Sequence, residues 1–347
     1  MNVASPTAGA STLDTELAPA ADAVLSTRRD APVLLVCHVN PDGDALGSML
    51  AVGLGLRRLG FSSVQATFPE PYGVAKPFQF LPGLDLLVPP DQAYPRPGLA
   101  ASFDAASPAR LGEVLPACEA APRFLMLDHH ASNTGFGSHR LLDARAAATA
   151  VIAARLLDQL GVSYDPQIAT CLYVGLSTDT GSFKYDTTTP EVLELAARLV
   201  AAGAAPAEIA LHVFDTRPFA AVRLLADVVG RAELEPDAAG GYGLVWTYAT
   251  DEELQRYGQP VQVLESFMDV VRTTAEADVA CLIKPAGPGL WSVSLRSKGA
   301  IDVAAAAVAL GGGGHRLAAG FTGRGELADV VAAVRRELAR AAAASRQ

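Results

Sequence analysis

The groups best suited to chemistry stand in four short runs: His38, Asp42 and Asp44; Asp104; Asp128, His129 and His130; and Asp179. Two kinds of side chain recur, carboxylates that accept and imidazoles that lend a lone pair, with no thiolate among them. Brought together without a counter-charge, these carboxylates would repel one another and resist ionisation. Divalent cations resolve that conflict. A mixed oxygen and imidazole set suits Mn²⁺ and related first-row ions better than a structural zinc, with Mg²⁺ or Co²⁺ as expected substitutes. Two ions about 3.5–4 Å apart, sharing a bridging carboxylate, form the arrangement used for phosphoester hydrolysis. Imidazoles at such sites need a partner on the other ring nitrogen, so one of the adjacent groups Asp128, His129 and His130 is expected to support the site or contact substrate.

The elements that must position these groups are legible around them. Pro32 to Cys37 is a continuous apolar run, the pattern of a strand buried on both faces of a parallel sheet. Asp44 to Gly60 then reads as a helix, with Leu46, Leu50, Leu54 and Leu59 near helical spacing and a basic, glycine-terminated end. Strand patterns return at 63–68 and 123–127, and a helical one at 147–161. This alternation predicts an α/β fold with a mainly parallel sheet. Ligands bind beyond the carboxyl ends of such strands. His38, Asp104 and Asp128 each follow a strand-like segment there, and Asp179 follows the apolar, helix-like run Ile168 to Leu176. Taken alone, the turn at His38 to Asp44 is also what a capped helix start looks like. Its recurrence at further segments argues for one shared site.

A loose tail is expected over residues 1–22, which are rich in Ala, Ser, Thr and Pro, followed by the sheet domain over 23–188. Residues 189–236 read as a helical linker broken by Pro206 and Pro218. Residues 237–347 read as a smaller α/β domain with strands at 243–248, 278–283 and 290–296. In that domain Gly311 to Gly314 and His315 follow an Ala-rich helix, where bare backbone amides can approach a phosphate or a base. Glycine after a helix is equally an ordinary cap. Arg296 and Ser297 end a nearby strand pattern, and an arginine can grip a terminal phosphate with two parallel hydrogen bonds. His139 and His212 read as surface or packing residues, and Trp246 and Trp291, within strand patterns, as core rather than base-stacking platforms.

Composition limits the partners. With 27 Lys+Arg against 37 Asp+Glu the net charge is −10, which makes a poor binder of long duplex nucleic acid. Cys37, Cys118, Cys171 and Cys281 are far apart and form no Cys-x-x-Cys pair, the usage of reduced thiols in a cytoplasmic protein. No membrane span and no secretory signal are expected.

In family order, the motifs H-x-N-P-D-G-D-A, the lone Asp104, D-H-H at 128–130, S-T-D-T-G-S-F at 177–183 and G-G-G-G-H-x-x-A-A-G at 311–320 resemble the DHH phosphoesterase superfamily. The subgroup is the one with a DHH-associated C-terminal domain, and within it the NrnA-type nano-RNase branch. The resemblance spans roughly residues 25 to 345. It implies a mainly parallel-sheet catalytic domain joined by a helical linker to a smaller α/β substrate-binding domain. His38 and Asp42 would hold one Mn²⁺, Asp44, His129 and Asp179 a second, and Asp104 would bridge them. His130 would lie beside the scissile phosphate, supported by Asp128. Arg296, Ser297, Gly312, Gly313, Gly314 and His315 would hold the far end of the substrate.

The implied activity is hydrolysis of short single-stranded oligonucleotides to mononucleotides, with 3′-phosphoadenosine 5′-phosphate as a second substrate. Cyclic or linear dinucleotide hydrolysis is the alternative within the family, and a non-catalytic nucleotide sensor the alternative outside enzymes. A homodimer is left open.

Overall fold

The computed structural model describes residues 12–345. Expectations for residues 1–11 lie outside that range. The chain divides into two compact units, one up to Thr216 and one from Arg217.

The first unit contains α1 (Leu13–Leu25), β1 (Val33–Cys37), α2 (Gly43–Arg58), β2 (Val64–Thr67), β3 (Leu99–Phe103), α3 (Leu115–Glu119), β4 (Phe124–Asp128), β5 (His139–Leu142), α4 (Thr149–Gln159), α5 (Pro166–Asp179), α6 (Pro190–Ala201) and α7 (Pro206–Val213). Its five strands run parallel in the order β2-β1-β3-β4-β5. Every β1 residue is buried, and the strand shares its side chains between two cores. Val33, Leu35 and Cys37 pack with α2, while Leu34 and Val36 pack with Leu111, Val114 and Cys118 on the other face. Each fully buried leucine or valine there contributes about 1.5–3 kcal/mol. The strand order reverses direction between β1 and β3, and the carboxyl ends at such a switch point are where open α/β sheets bind ligands.

Residues 13–22, expected to be loose, form most of α1. Leu13, Ala20, Ala21 and Val24 are buried, and the helix packs on β5 and α4, covering the sheet's edge strand. The Thr12 amide donates to the Leu142 carbonyl at 2.8 Å. The apolar spacing was present in the sequence, but Pro19 and the alanines obscured it. The segment expected as a linker is shared out: α6 packs on α5, and α8 (Phe219–Gly230) belongs to the second unit.

In the second unit follow β6 (Glu233–Glu235), α9 (Ala238–Gly241), β7 (Leu244–Tyr248), α10 (Asp251–Tyr257), α11 (Glu265–Val271), β8 (Val279–Pro285), β9 (Leu290–Ser297), α12 (Val303–Ala309), β10 (Gly313–His315), β11 (Ala318–Arg324) and α13 (Leu327–Ser345). The sheet order is β10-β11-β9-β8-β7-β6, antiparallel except for β7 beside β8. The glycine run is therefore not only a loop: Gly313 to His315 form an edge strand paired with β11. Trp246 is buried, as expected for a core residue, and all four cysteines are free and buried. Among the described residues no helix is long and apolar enough to cross a membrane.

Candidate active site

The helix α2 begins where the first motif ends. Asp42 caps it, its Oδ1 accepting from the amides of Asp44 and Ala45 at 3.1 and 3.0 Å. Asp44 in the first turn is fully buried. Two glycines let α2 and α5 meet closely: a Cβ on Gly47 would stand 2.3 Å from the Cys171 carbonyl oxygen, and one on Gly175 2.8 Å from Asp44 Oδ1. The close crossing brings Asp44 near Asp179, the last residue of α5. Asp104 follows β3 with φ of +58°, a left-handed conformation that costs energy in a residue bearing a Cβ.

Eight sequence-chosen side chains meet at this edge. Ligand atoms of His38, Asp42 and Asp104 lie within 4.8 Å of one another, as do those of Asp44, His129 and Asp179. Asp104 faces both groups, Oδ2 at 3.5 Å from His38 Nε2 and Oδ1 at 3.6 Å from His129 Nε2. His129 Nε2 also lies 3.2 Å from Asp179 Oδ2, and its Nδ1 is 3.2 Å from the Ala146 carbonyl, which receives the ring's proton and leaves Nε2 toward the carboxylates. A third grouping joins Asp104, His129 and His130. His130, however, commits Nδ1 to Asp128 Oδ1 at 2.8 Å.

Supporting residues not singled out from sequence complete the frame. The amides of Thr149 and Ala150, at the start of α4, donate to the two Asp44 carboxylate oxygens at 2.6 and 2.8 Å, and Thr149 Oγ1 donates to Asp104 at 3.0 Å. A helix start favours negative charge. Asn133 donates to Asp128 Oδ2 at 2.5 Å and to the Ala105 carbonyl at 3.2 Å. Arg110, in the 3₁₀ turn Pro108–Val114, approaches His38. The sequence signal for Thr149 was a threonine at a helix start; Asn133 and Arg110 carried none.

Electrostatics report a site short of positive charge. Burial, then the neighbouring Asp179 and Asp104 charges, push the Asp44 carboxyl well above its ordinary value. Burial, with Asp42 and Asp104, pushes Asp179 to about 6 despite its bond to His129. His129 rises to about 10: burial opposes its charge, but the Asp179 bond and the charges of Asp179, Asp44 and Asp104 outweigh it. Asp104 falls below the usual carboxylate range, because the His38 bond and three imidazoles overcome burial. The cluster thus gathers protons to offset its crowded carboxylates. An oxygen and imidazole set that does so fits divalent cations, which supply the charge and displace the protons.

The residues chosen in the second unit lie apart in chain and serve different local roles. Ser297 Oγ donates to Asp278 at 2.8 Å and accepts from the Gly299 amide, so its hydroxyl holds the turn after β9. Arg296 is half-buried, with Nη1 on the Leu295 carbonyl at 3.0 Å. A Cβ on Gly312 would stand 2.1 Å from the Gly320 carbonyl oxygen and one on Gly314 2.6 Å from that of Ala318, so both permit close strand packing. At Gly313 a Cβ meets nothing within 4 Å. His315 is exposed.

A parallel sheet with an acidic and imidazole cluster at the carboxyl ends of β1, β3 and β4 is the frame of a phosphoesterase. The DHH family N-terminal domain matches residues 32–176 and the DHHA1 domain residues 253–340. The chain belongs to the DHH family and is a hydrolase acting on phosphoester bonds. The bifunctional oligoribonuclease and PAP phosphatase NrnA of Thermus thermophilus is 33% identical over 320 residues, 90% of this chain and 92% of that one. The protein of the same name from Mycoplasma pneumoniae is 26% identical, covering 86% and 90%. Among solved structures, an exopolyphosphatase-related protein from Bacteroides fragilis superposes with a TM-score of 0.85 at 21% identity, over 96% of this chain and 98% of that one. Exonuclease RecJ bound to manganese gives 0.51 at 17% identity, over 94% of each. These two likenesses are of fold.

Proposed function

We propose that the chain hydrolyses short single-stranded oligonucleotides to mononucleotides and releases the 3′-phosphate of 3′-phosphoadenosine 5′-phosphate, using two Mn²⁺ ions. The observation that carries the reading is the pair of ligand groups facing opposite oxygens of Asp104, in a chain similar along 90% of its length to an oligoribonuclease and PAP phosphatase. His38 and Asp42 would hold one ion, Asp44, His129 and Asp179 the other, with Asp104 between. Bound there, divalent cations supply a nucleophilic water at neutral pH and charge against the phosphoryl oxygens.

The chain's own groups do the rest. Asp128 and Asn133 fix the His130 ring, which keeps its Nδ1 proton on Asp128 and turns Nε2 to the phosphoryl or leaving oxygen. Thr149 and the α4 amides keep Asp104 and Asp44 in place before any ion binds. Arg296, Gly313 and His315 would bind a terminal phosphate or base, Gly312 and Gly314 shaping the strand beside them and Ser297 the adjoining turn. The excess of acidic groups favours short substrates, and four free thiols fit the cytoplasm.

The test is an incubation with Mn²⁺, Mg²⁺ or Co²⁺ and a ladder of labelled two- to ten-residue RNA and DNA oligomers, beside 3′-phosphoadenosine 5′-phosphate and cyclic di-AMP. Mononucleotide release from the shortest oligomers is expected. Preference for the cyclic dinucleotide would favour the alternative substrate, and binding without turnover a sensor.

A further inference from the structure

Arg110 stands beside the acidic cluster without an acidic partner. It is exposed, and among the described residues it forms no ion pair with a carboxylate. Its backbone is anchored, because the Val39 amide donates to the Arg110 carbonyl at 3.1 Å. Its guanidinium reaches the far side of His38, with Nη2 at 2.9 Å from Nδ1. The same Nδ1 lies 2.8 Å from the Val39 carbonyl oxygen.

One ring nitrogen cannot donate to Val39 and accept from Arg110 at once. If Nδ1 accepts from Arg110, the proton of the neutral ring sits on Nε2, the atom that faces Asp104 and Asp42. If His38 lends Nε2 to a cation, the proton sits on Nδ1 and goes to Val39. Arg110 then loses its acceptor while staying tethered at the cluster. A planar guanidinium with several donors and no carboxylate to satisfy them matches a phosphoryl group.

We propose that Arg110, released from His38 when that ring ligates through Nε2, binds a phosphoryl oxygen of the substrate at the cluster. This rests on the reading of the cluster as the cation site of a phosphoester hydrolase.

The experiment is equilibrium dialysis of labelled inorganic phosphate against the full chain at saturating Mn²⁺, for the parent, Arg110→Ala and Arg110→Lys, with a separate Mn²⁺ titration of each. The expected result is a loss of phosphate affinity of about tenfold to hundredfold in Arg110→Ala. Arg110→Lys should recover part of it, with Mn²⁺ stoichiometry unchanged and Mn²⁺ affinity no lower than the parent's in both, since the contact with His38 that opposes ligation is gone. Phosphate affinity equal to the parent's overturns the proposal, as does a parent that binds no phosphate. A loss of Mn²⁺ affinity with phosphate binding intact also overturns it, because Arg110 would then only prop His38. If phosphate binding depends on Arg110 while no oligonucleotide is cleaved, the substrate reading fails and the Arg110 site stands.

Discussion

Asp104 gives one oxygen to each of two ligand groups and does so from a left-handed backbone, a strained conformation kept at the centre of the site. Asp104→Ala is therefore expected to lower Mn²⁺ stoichiometry and abolish measurable turnover; two tightly bound ions by metal analysis, with near-parent rates, would refute the bridging role. His130 behaves differently because its Nδ1 is already committed to Asp128. For His130→Ala we expect full metal content and a fall in kcat of about 10²- to 10⁴-fold, the range for losing a positioned acid or base. Loss of one metal equivalent would instead place His130 among the ligands.

At the scale of elements, the site depends on how closely α2 meets α5. Gly47→Ala pushes a methyl group against a helix backbone rather than a pliable side chain, and should destabilise the chain by about 1–3 kcal/mol in urea unfolding. An unchanged midpoint would mean the crossing has slack. In the second unit, Glu253 closes the capping box of α10 with Thr250 and pairs with Arg231. Burial opposes its charge, but the Arg231 bond and the Thr250 amide prevail, holding its carboxyl below the ordinary value. A carboxyl depressed in the folded state stabilises above its unfolded pKa, and that contribution is lost as pH falls through the folded value. Glu253→Gln should cost about 1.5–3 kcal/mol at pH 7, and stability measured across pH should show parent and variant converging on the acid side. A gap independent of pH would assign the effect to packing.

For the whole molecule, the proposed function places the chemistry in the first unit and the substrate grip in the second. Arg296→Ala is expected to retain metal content and unfolding midpoint while weakening substrates with a terminal phosphate by about 1.5–3 kcal/mol. A small phosphoester without that far end should be cleaved as by the parent. Equal losses on both substrates would tie Arg296 to the reacting phosphate or to the fold.

Local pattern alone determined the α/β class, the strand-end positions of His38, Asp104 and Asp128, and the chemical need for cations, because parallel strands buried on both faces leave continuous apolar runs that end abruptly in polar groups. Position along the chain could not say which atoms meet. Tertiary packing decided that α4 presents its amides to Asp44, that Asn133 steadies Asp128, and that Arg110 reaches His38, contacts spanning 105, 5 and 72 residues. It also turned residues 13–22 into a helix, since β5 and α4 together give their apolar face something to cover. Such contacts leave no periodicity: each depends on one donor and one acceptor that the folded chain alone brings within reach.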